Sequence, residues 1–121
     1  MSFDPDRFAP LPEPPYYAVI FTNQLGPSPM GYEHMADKTL ELAQKQDGYL
    51  GIESTRDAFG VGITVSYWKD EASIAAWKAD TDHLMAQKLG QSRFYAHYHL
   101  RVAKVERSYS GPEGRAVPGQ D

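Results

Sequence analysis

Residues 60–77 read GVGITVSYWKDEASIAAW, and this stretch decides the fold. Val61, Ile63, Val65 and Tyr67 alternate with Gly62, Thr64, Ser66 and Trp68. A period of two sends the two sets to opposite faces of a strand. The first set is apolar. The second mixes small and polar residues with one indole, a surface better suited to lining a cavity than to filling a dry core. Asp70 then stands where a helix N-cap stands. Ile74, Trp77, Thr81, Leu84, Met85 and Lys88 follow at helical spacing. The run is a half-buried strand feeding an amphipathic helix. Ala79-Asp80-Thr81-Asp82 is a weak helix former, which predicts a kink or break there. Gly90 is the expected stop.

Working outward, Tyr16 to Gln24 (YYAVIFTNQ) is apolar on both faces and predicts a central strand. Gly26, Pro27 and Pro29 break it. Tyr32, Met35, Ala36, Thr39, Leu42 and Ala43 place a helix over about Met30 to Gln46, closed by Asp47-Gly48. Tyr49 to Arg56 is a second strand, Asp57 to Gly60 a short hairpin connection, and Val61 to Trp68 the third strand. Arg93 to Arg107 is a long final strand. The order β-α-β-β-α-β predicts an α+β, ferredoxin-like antiparallel sheet with both helices on one face. The remaining face needs a cover. Residues 1–15, with five of the nine prolines, form an extended arm, and residues 109–121 a polar tail. Phe3, Phe8 and Leu11 could anchor the arm on the body or on a partner subunit. The tails are short and polar, though, and neither is expected to cover the sheet, so a second copy is: a homodimer with sheets face to face, as a dimeric α/β barrel. The folded domain is expected over 16–108.

Composition narrows the function classes. A chain of 121 residues fits one domain, and its net charge of −4 without a basic patch excludes a nucleic-acid surface. The absence of cysteine excludes disulfides, thiolate catalysis and Cys-ligated metals, and fits a cytoplasmic location. Residues 1–15 hold no apolar core of a signal peptide, and no run is long enough for a membrane span. There is no GxGxxG or Walker pattern, and Gly60-Val61-Gly62 belongs to a hairpin rather than a nucleotide loop.

Several residues carry chemistry by type and place. Asn23, closing the first strand, donates an N–H to a bound oxygen, or else bonds its own backbone near Pro27. Trp68 stacks on a planar ligand or plugs one end of the sheet, and Thr64 lies on the same small-polar face. Trp77 is a core residue or a cofactor contact. His83 is a general base or iron ligand, or a surface histidine beside Asp80 and Asp82. Glu53 is a candidate base if it faces a desolvated interior. His97 and His99 share one strand face at chelating spacing, without an evident third ligand, so no metal site is assigned.

Tyr49-Leu50-Gly51-Ile52-Glu53-Ser54, Ser66-Tyr67-Trp68-Lys69-Asp70, Trp77-Lys78, His83, Ala86-Gln87, Gly90, Phe94-Tyr95 and Val105-Glu106-Arg107 together resemble the antibiotic biosynthesis monooxygenase (ABM) domain family over residues 16–108. The resemblance implies a dimeric α/β barrel and a small planar apolar ligand. One branch of the family oxidises polyketide-derived phenols with dioxygen and no cofactor, the phenolate supplying the electrons. Of its set, Trp68 matches, while Thr64 and Ile74 stand where that branch has Asn and Tyr. A second branch binds and degrades heme. Asn23 and Trp77 match its pattern, and Gln87 replaces the axial His, with His83 one turn earlier. The implied function is a cofactor-independent monooxygenase. Heme degradation and a non-catalytic, metabolite-binding or stress-response dimer are the alternatives.

Overall fold

A computed structural model describes residues 4–27, 31–87 and 94–112, with the side chains of 85–87 left aside. The expectations for Phe3, Met30, Lys88, Gly90 and Arg93 lie outside these residues, as do those for the side chains of Met85 and Gln87. The elements are β1 (Tyr16–Leu25), α1 (Tyr32–Gln44), β2 (Tyr49–Arg56), β3 (Val61–Trp68), α2 (Glu71–Gln87) and β4 (Tyr95–Val105). The sheet has the order β2-β3-β1-β4, and every neighbouring pair is antiparallel. This is the ferredoxin-like α+β arrangement, with the doubly apolar β1 in the interior of the sheet. Among the described residues, no helix is long and apolar enough to cross a membrane.

Local chemistry sets the boundaries. Gly60 closes the β2–β3 hairpin at φ +91, a left-handed backbone that side chains disfavour. The Asp57 carboxylate accepts the N–H groups of Phe59 and Val61 in the same turn. Asp70 caps α2 by accepting the Ser73 N–H at 2.8 Å. That bond holds the Asp70 carboxyl below its usual range. The ADTD segment does not break α2, which runs as one helix from Glu71 to Gln87. Its propensity deficit is local, and inward packing by Ile74 and Trp77 outweighs it.

Register assigns the faces. Tyr17, Val19, Phe21 and Asn23 of β1 lie opposite Trp68, Ser66, Thr64 and Gly62 of β3, and opposite Lys104, Val102, Leu100 and Tyr98 of β4. This is the helix side, since Val19 and Trp68 form the core with Ala43, packed by Tyr17, Tyr49, Ile74 and Trp77. Trp68 is fully buried and stacks on Trp77 at 5.0 Å between centroids. Such a pair adds about 0.5–1.5 kcal/mol beyond its area burial.

The opposite face carries Ala18, Ile20, Val61, Ile63, Val65 and Tyr67 with His97, His99 and Arg101. Here the structure corrects one expectation. The arm does cover part of this face. Ala9 donates its backbone N–H to Glu53 at 2.9 Å, and the arm passes close over Gly51, where a Cβ would lie 3.0 Å from Ala9 and Pro10. Against the expectation of a wholly extended arm, Pro5–Arg7 form a short 3-10 helix capped by Asp4; beyond it the prolines leave the arm with few donors of its own. The rest stays open: Val61 is 41% and Ile63 43% exposed.

Candidate functional site

Asn23 lies at the hairpin end of the helix-side face and is only 3% exposed. The Arg56 guanidinium reaches across β3 to it. Arg56 Nη2 donates to Asn23 Oδ1 at 2.7 Å and to the Tyr32 hydroxyl at 2.9 Å, while Nη1 donates to the Gly60 carbonyl at 2.6 Å. Gly62 makes this reach possible, because a Cβ there would stand 2.6 Å from Arg56 Cζ. The guanidinium also sits 5.3 Å from the Tyr32 ring centroid.

These contacts orient the Asn23 amide. Arginine has donors only, so the atom facing it must be the amide oxygen. The NH2 end therefore points the other way. Its contact there, to the Phe21 carbonyl, is long at 3.5 Å. A buried amide with its donor end weakly engaged is suited to bind an oxygen atom of a ligand.

Aromatic rings wall this corner. Tyr95 packs edge-on against Phe21 at 5.1 Å and against Tyr32 at 5.7 Å, and Tyr98 lies 5.5 Å from Phe21. Tyr95 reaches this face through a bulge. Gln24 pairs with His97, but Leu25 pairs with Tyr95, so Ala96 is the extra residue. Burial raises the Tyr95 phenol well above its ordinary pKa, and its hydrogen bond with Tyr32 acts in the same sense. The β4 flank beside it is open: Tyr98 is 57%, Leu100 51% and Val102 48% exposed on the helix side. Thr64, half-buried, lies opposite Phe21 on the floor between them.

The other sequence candidates are distributed differently. Trp68 faces the helices but lies six residues from the Gly62 level of β3, roughly 20 Å along the strand from Asn23. It is core, with its indole N–H bonded to Ser66 Oγ at 2.9 Å. Trp77 is held by Trp68 and by donation to the Thr39 carbonyl at 3.1 Å. Both indoles are engaged in packing in the core.

Glu53 faces away from the helices. A bulge at Leu50 puts Tyr49 on the helix side and Glu53 on the other, where it takes the Ala9 N–H and the Tyr67 hydroxyl at 2.8 Å. It is no base for this site. His83 is exposed on α2. His97 and His99 meet at 3.2 Å between ring nitrogens on the far face, and no cluster of three or more candidate metal ligands forms among the described residues. The open groove between Leu11–Pro14 and Glu106–Ser110 lies at the Tyr16–Val105 end of the sheet, remote from Asn23.

Sequence reasoning passed over Arg56, Tyr32 and Gly62. The readable signal was Arg56, a cation ending an otherwise neutral inward row of β2 residues. Its partner Asn23 stood out by its amide, its place at the end of the first strand and its match to the heme-degrading branch.

No family model matches the chain. The chain is 46% identical over 102 residues to the uncharacterized protein YqjZ of Bacillus subtilis, covering 84% of this chain and 90% of that protein. It is 34% identical over 111 residues to the jasmonate monooxygenase ABM of Pyricularia oryzae, covering 87% of this chain and spanning 50% of that longer protein. Among solved structures, SnoaB, a cofactor-independent oxygenase from Streptomyces nogalater, superimposes with a TM-score of 0.61 at 12% identity, over 83% of this chain and 100% of that one. PA3566 from Pseudomonas aeruginosa gives 0.59 at 14% identity, over 79% and 97%. The structural matches establish the shared fold, and the match over 90% of YqjZ establishes kinship with that protein; the chain resembles ABM-type monooxygenases in fold and in its match to the Pyricularia protein.

Proposed function

We propose that this protein is a cofactor-independent monooxygenase that holds a small, planar, apolar substrate on the helix side of its sheet, between Asn23 and the open flank of β4. The observation that carries the reading is the Asn23 amide, buried and turned by Arg56 so that its NH2 end is left for a ligand oxygen. In this chemistry the substrate supplies the electrons. An activated methylene loses a proton to give an anion stabilised through a conjugated oxygen. The anion reduces dioxygen and joins it as a hydroperoxide, which loses water to leave a carbonyl. Asn23 would stabilise the negative oxygen by donating to it. Phe21, Thr64 and Tyr98 would line the substrate, and His83 is the candidate proton acceptor. The resemblance to the Pyricularia monooxygenase supports this reaction class, and SnoaB offers a cofactor-independent precedent on the same fold.

The protein would act as a homodimer through the face that carries Ile20, Val61, Ile63 and Val65. Exposed apolar side chains on an uncovered sheet face support that pairing.

Oxygen uptake tests the reading. The panel comprises anthrones and hydroquinones, with jasmonic acid added because the Pyricularia relative is named for jasmonate. Asn23→Ala is expected to lower turnover by about 10²-fold, the scale of one lost oxyanion donor. Equal rates for wild type and Asn23→Ala would remove the amide from the mechanism. Equal rates for His83→Ala would remove His83.

A further inference from the structure

The half-buried Arg56 guanidinium has three acceptors, the Gly60 carbonyl, the Asn23 amide and the Tyr32 hydroxyl, all of them neutral. The chain carries 16 acidic residues, yet among the described residues none forms an ion pair with Arg56. Arginine stays charged at any ordinary pH, so burial cannot be relieved by losing a proton. Partly desolvating a cation without a counter-ion is costly, and structures usually place a carboxylate opposite it. Its three bonds engage three of five N–H groups. The Nε–H and the second Nη1–H remain. Asn23, which Nη2 reaches, lies opposite Tyr98 and shares its sheet face with Phe21 and Leu100, an apolar and half-open ledge.

We propose that Arg56 is an anion-recognition residue, and that the ligand of this site is a small lipophilic carboxylic acid. Its carboxylate is held by Arg56 and its apolar body lies along Phe21, Tyr98 and Leu100. A carboxylate supplies the missing counter-charge and accepts one of the remaining N–H groups in a charge-assisted bond. The ledge supplies the desolvated contact, and the adjacent Asn23 NH2 reaches the same ligand. This narrows the substrate class and rests on the preceding reading for the location of the site, though not for turnover.

The test is equilibrium binding by calorimetry, with 4-phenylbutanoic acid and its uncharged isostere 4-phenylbutanamide as probes. The acid is expected to bind wild type about tenfold or more tighter than the amide, the scale of a hydrogen bond to a charged group. Arg56→Gln is expected to abolish that preference. Gly62→Ala, which displaces the guanidinium without removing it, is expected to weaken it and serves where Arg56→Gln does not fold. Equal binding of acid and amide to wild type overturns the proposal, as does failure of both to bind. A preference that survives Arg56→Gln, or that Gly62→Ala leaves undiminished, overturns it too. Because no turnover is measured, acid binding without oxygen uptake would refute the monooxygenase reading alone, and oxygen uptake without acid preference would refute the carboxylate alone.

Discussion

Adding one methyl group at Gly62 tests the architecture of the site without touching any polar atom. A Cβ at that position would lie 2.6 Å from Arg56 Cζ and 2.8 Å from both Nη atoms. Carbon contacts settle near 3.5–4.0 Å, so the guanidinium must retreat by about 1 Å. That movement breaks the bonds of 2.7 Å to Asn23, 2.9 Å to Tyr32 and 2.6 Å to Gly60. Asn23 is too buried for water to replace Arg56 fully, and an unsatisfied buried acceptor costs about 1–3 kcal/mol. Alanine returns about 0.5–1 kcal/mol in backbone entropy relative to glycine within a strand. The expected net loss is about 1–2 kcal/mol, read as a lower urea midpoint at unchanged slope. A double-mutant cycle isolates the cause. With Arg56→Ala already present, the new methyl group has room, and Gly62→Ala becomes neutral or slightly stabilising. The coupling should therefore reach about 1 kcal/mol or more. Equal destabilisation in both backgrounds would place the effect in the β3 backbone and refute the steric argument.

Ser66→Ala removes the acceptor of the fully buried Trp68 indole, and thermal melts should show a loss of about 1–3 kcal/mol; an unchanged melting temperature would show that the Trp68 N–H finds another partner. The Tyr67 phenol is pushed up to about 12 by burial and then by the neighbouring Glu53 carboxylate. A folded pKa above the unfolded value near 10 means stability is fully present below pH 10 and lost as pH rises from 10 toward 12. With solvent screening the loss is about 1 kcal/mol, and Tyr67→Phe should flatten the alkaline limb of the stability profile. An unchanged limb in that variant would assign the alkaline loss elsewhere. Ile63→Lys places a charge on the uncovered sheet face, where Ile63 is 43% exposed, and should convert a dimer to monomer in light scattering. A variant that still dimerises would move the interface off this face.

The legible parts of the fold were those governed by short-range periodicity. Val61 to Trp68 alternates so regularly that strand, faces and following helix can all be read from it, and the β-α-β-β-α-β order leaves few topologies. The arm was less legible. Its prolines announce an extended segment, but its contact with Gly51 and Glu53 is 44 residues away in sequence for the Ala9–Glu53 bond. The ADTD segment left α2 unbroken because propensity is a weak local term and packing is not.

By itself, the sequence determined the element order, the small-polar face of β3, the need to cover the opposite face, and Asn23 as a residue of interest. Each follows from a residue's type and its near neighbours. Only the tertiary structure decided which of these meet. One extra residue at Ala96 turns Tyr95 into the site, and one at Leu50 turns Glu53 out of it, because a single insertion inverts side-chain parity along a strand. The union of Arg56 with Asn23 is likewise a matter of register. They are 33 positions apart in the chain and lie on strands that do not pair with each other. The glycine between them at position 62 lets the cation cross.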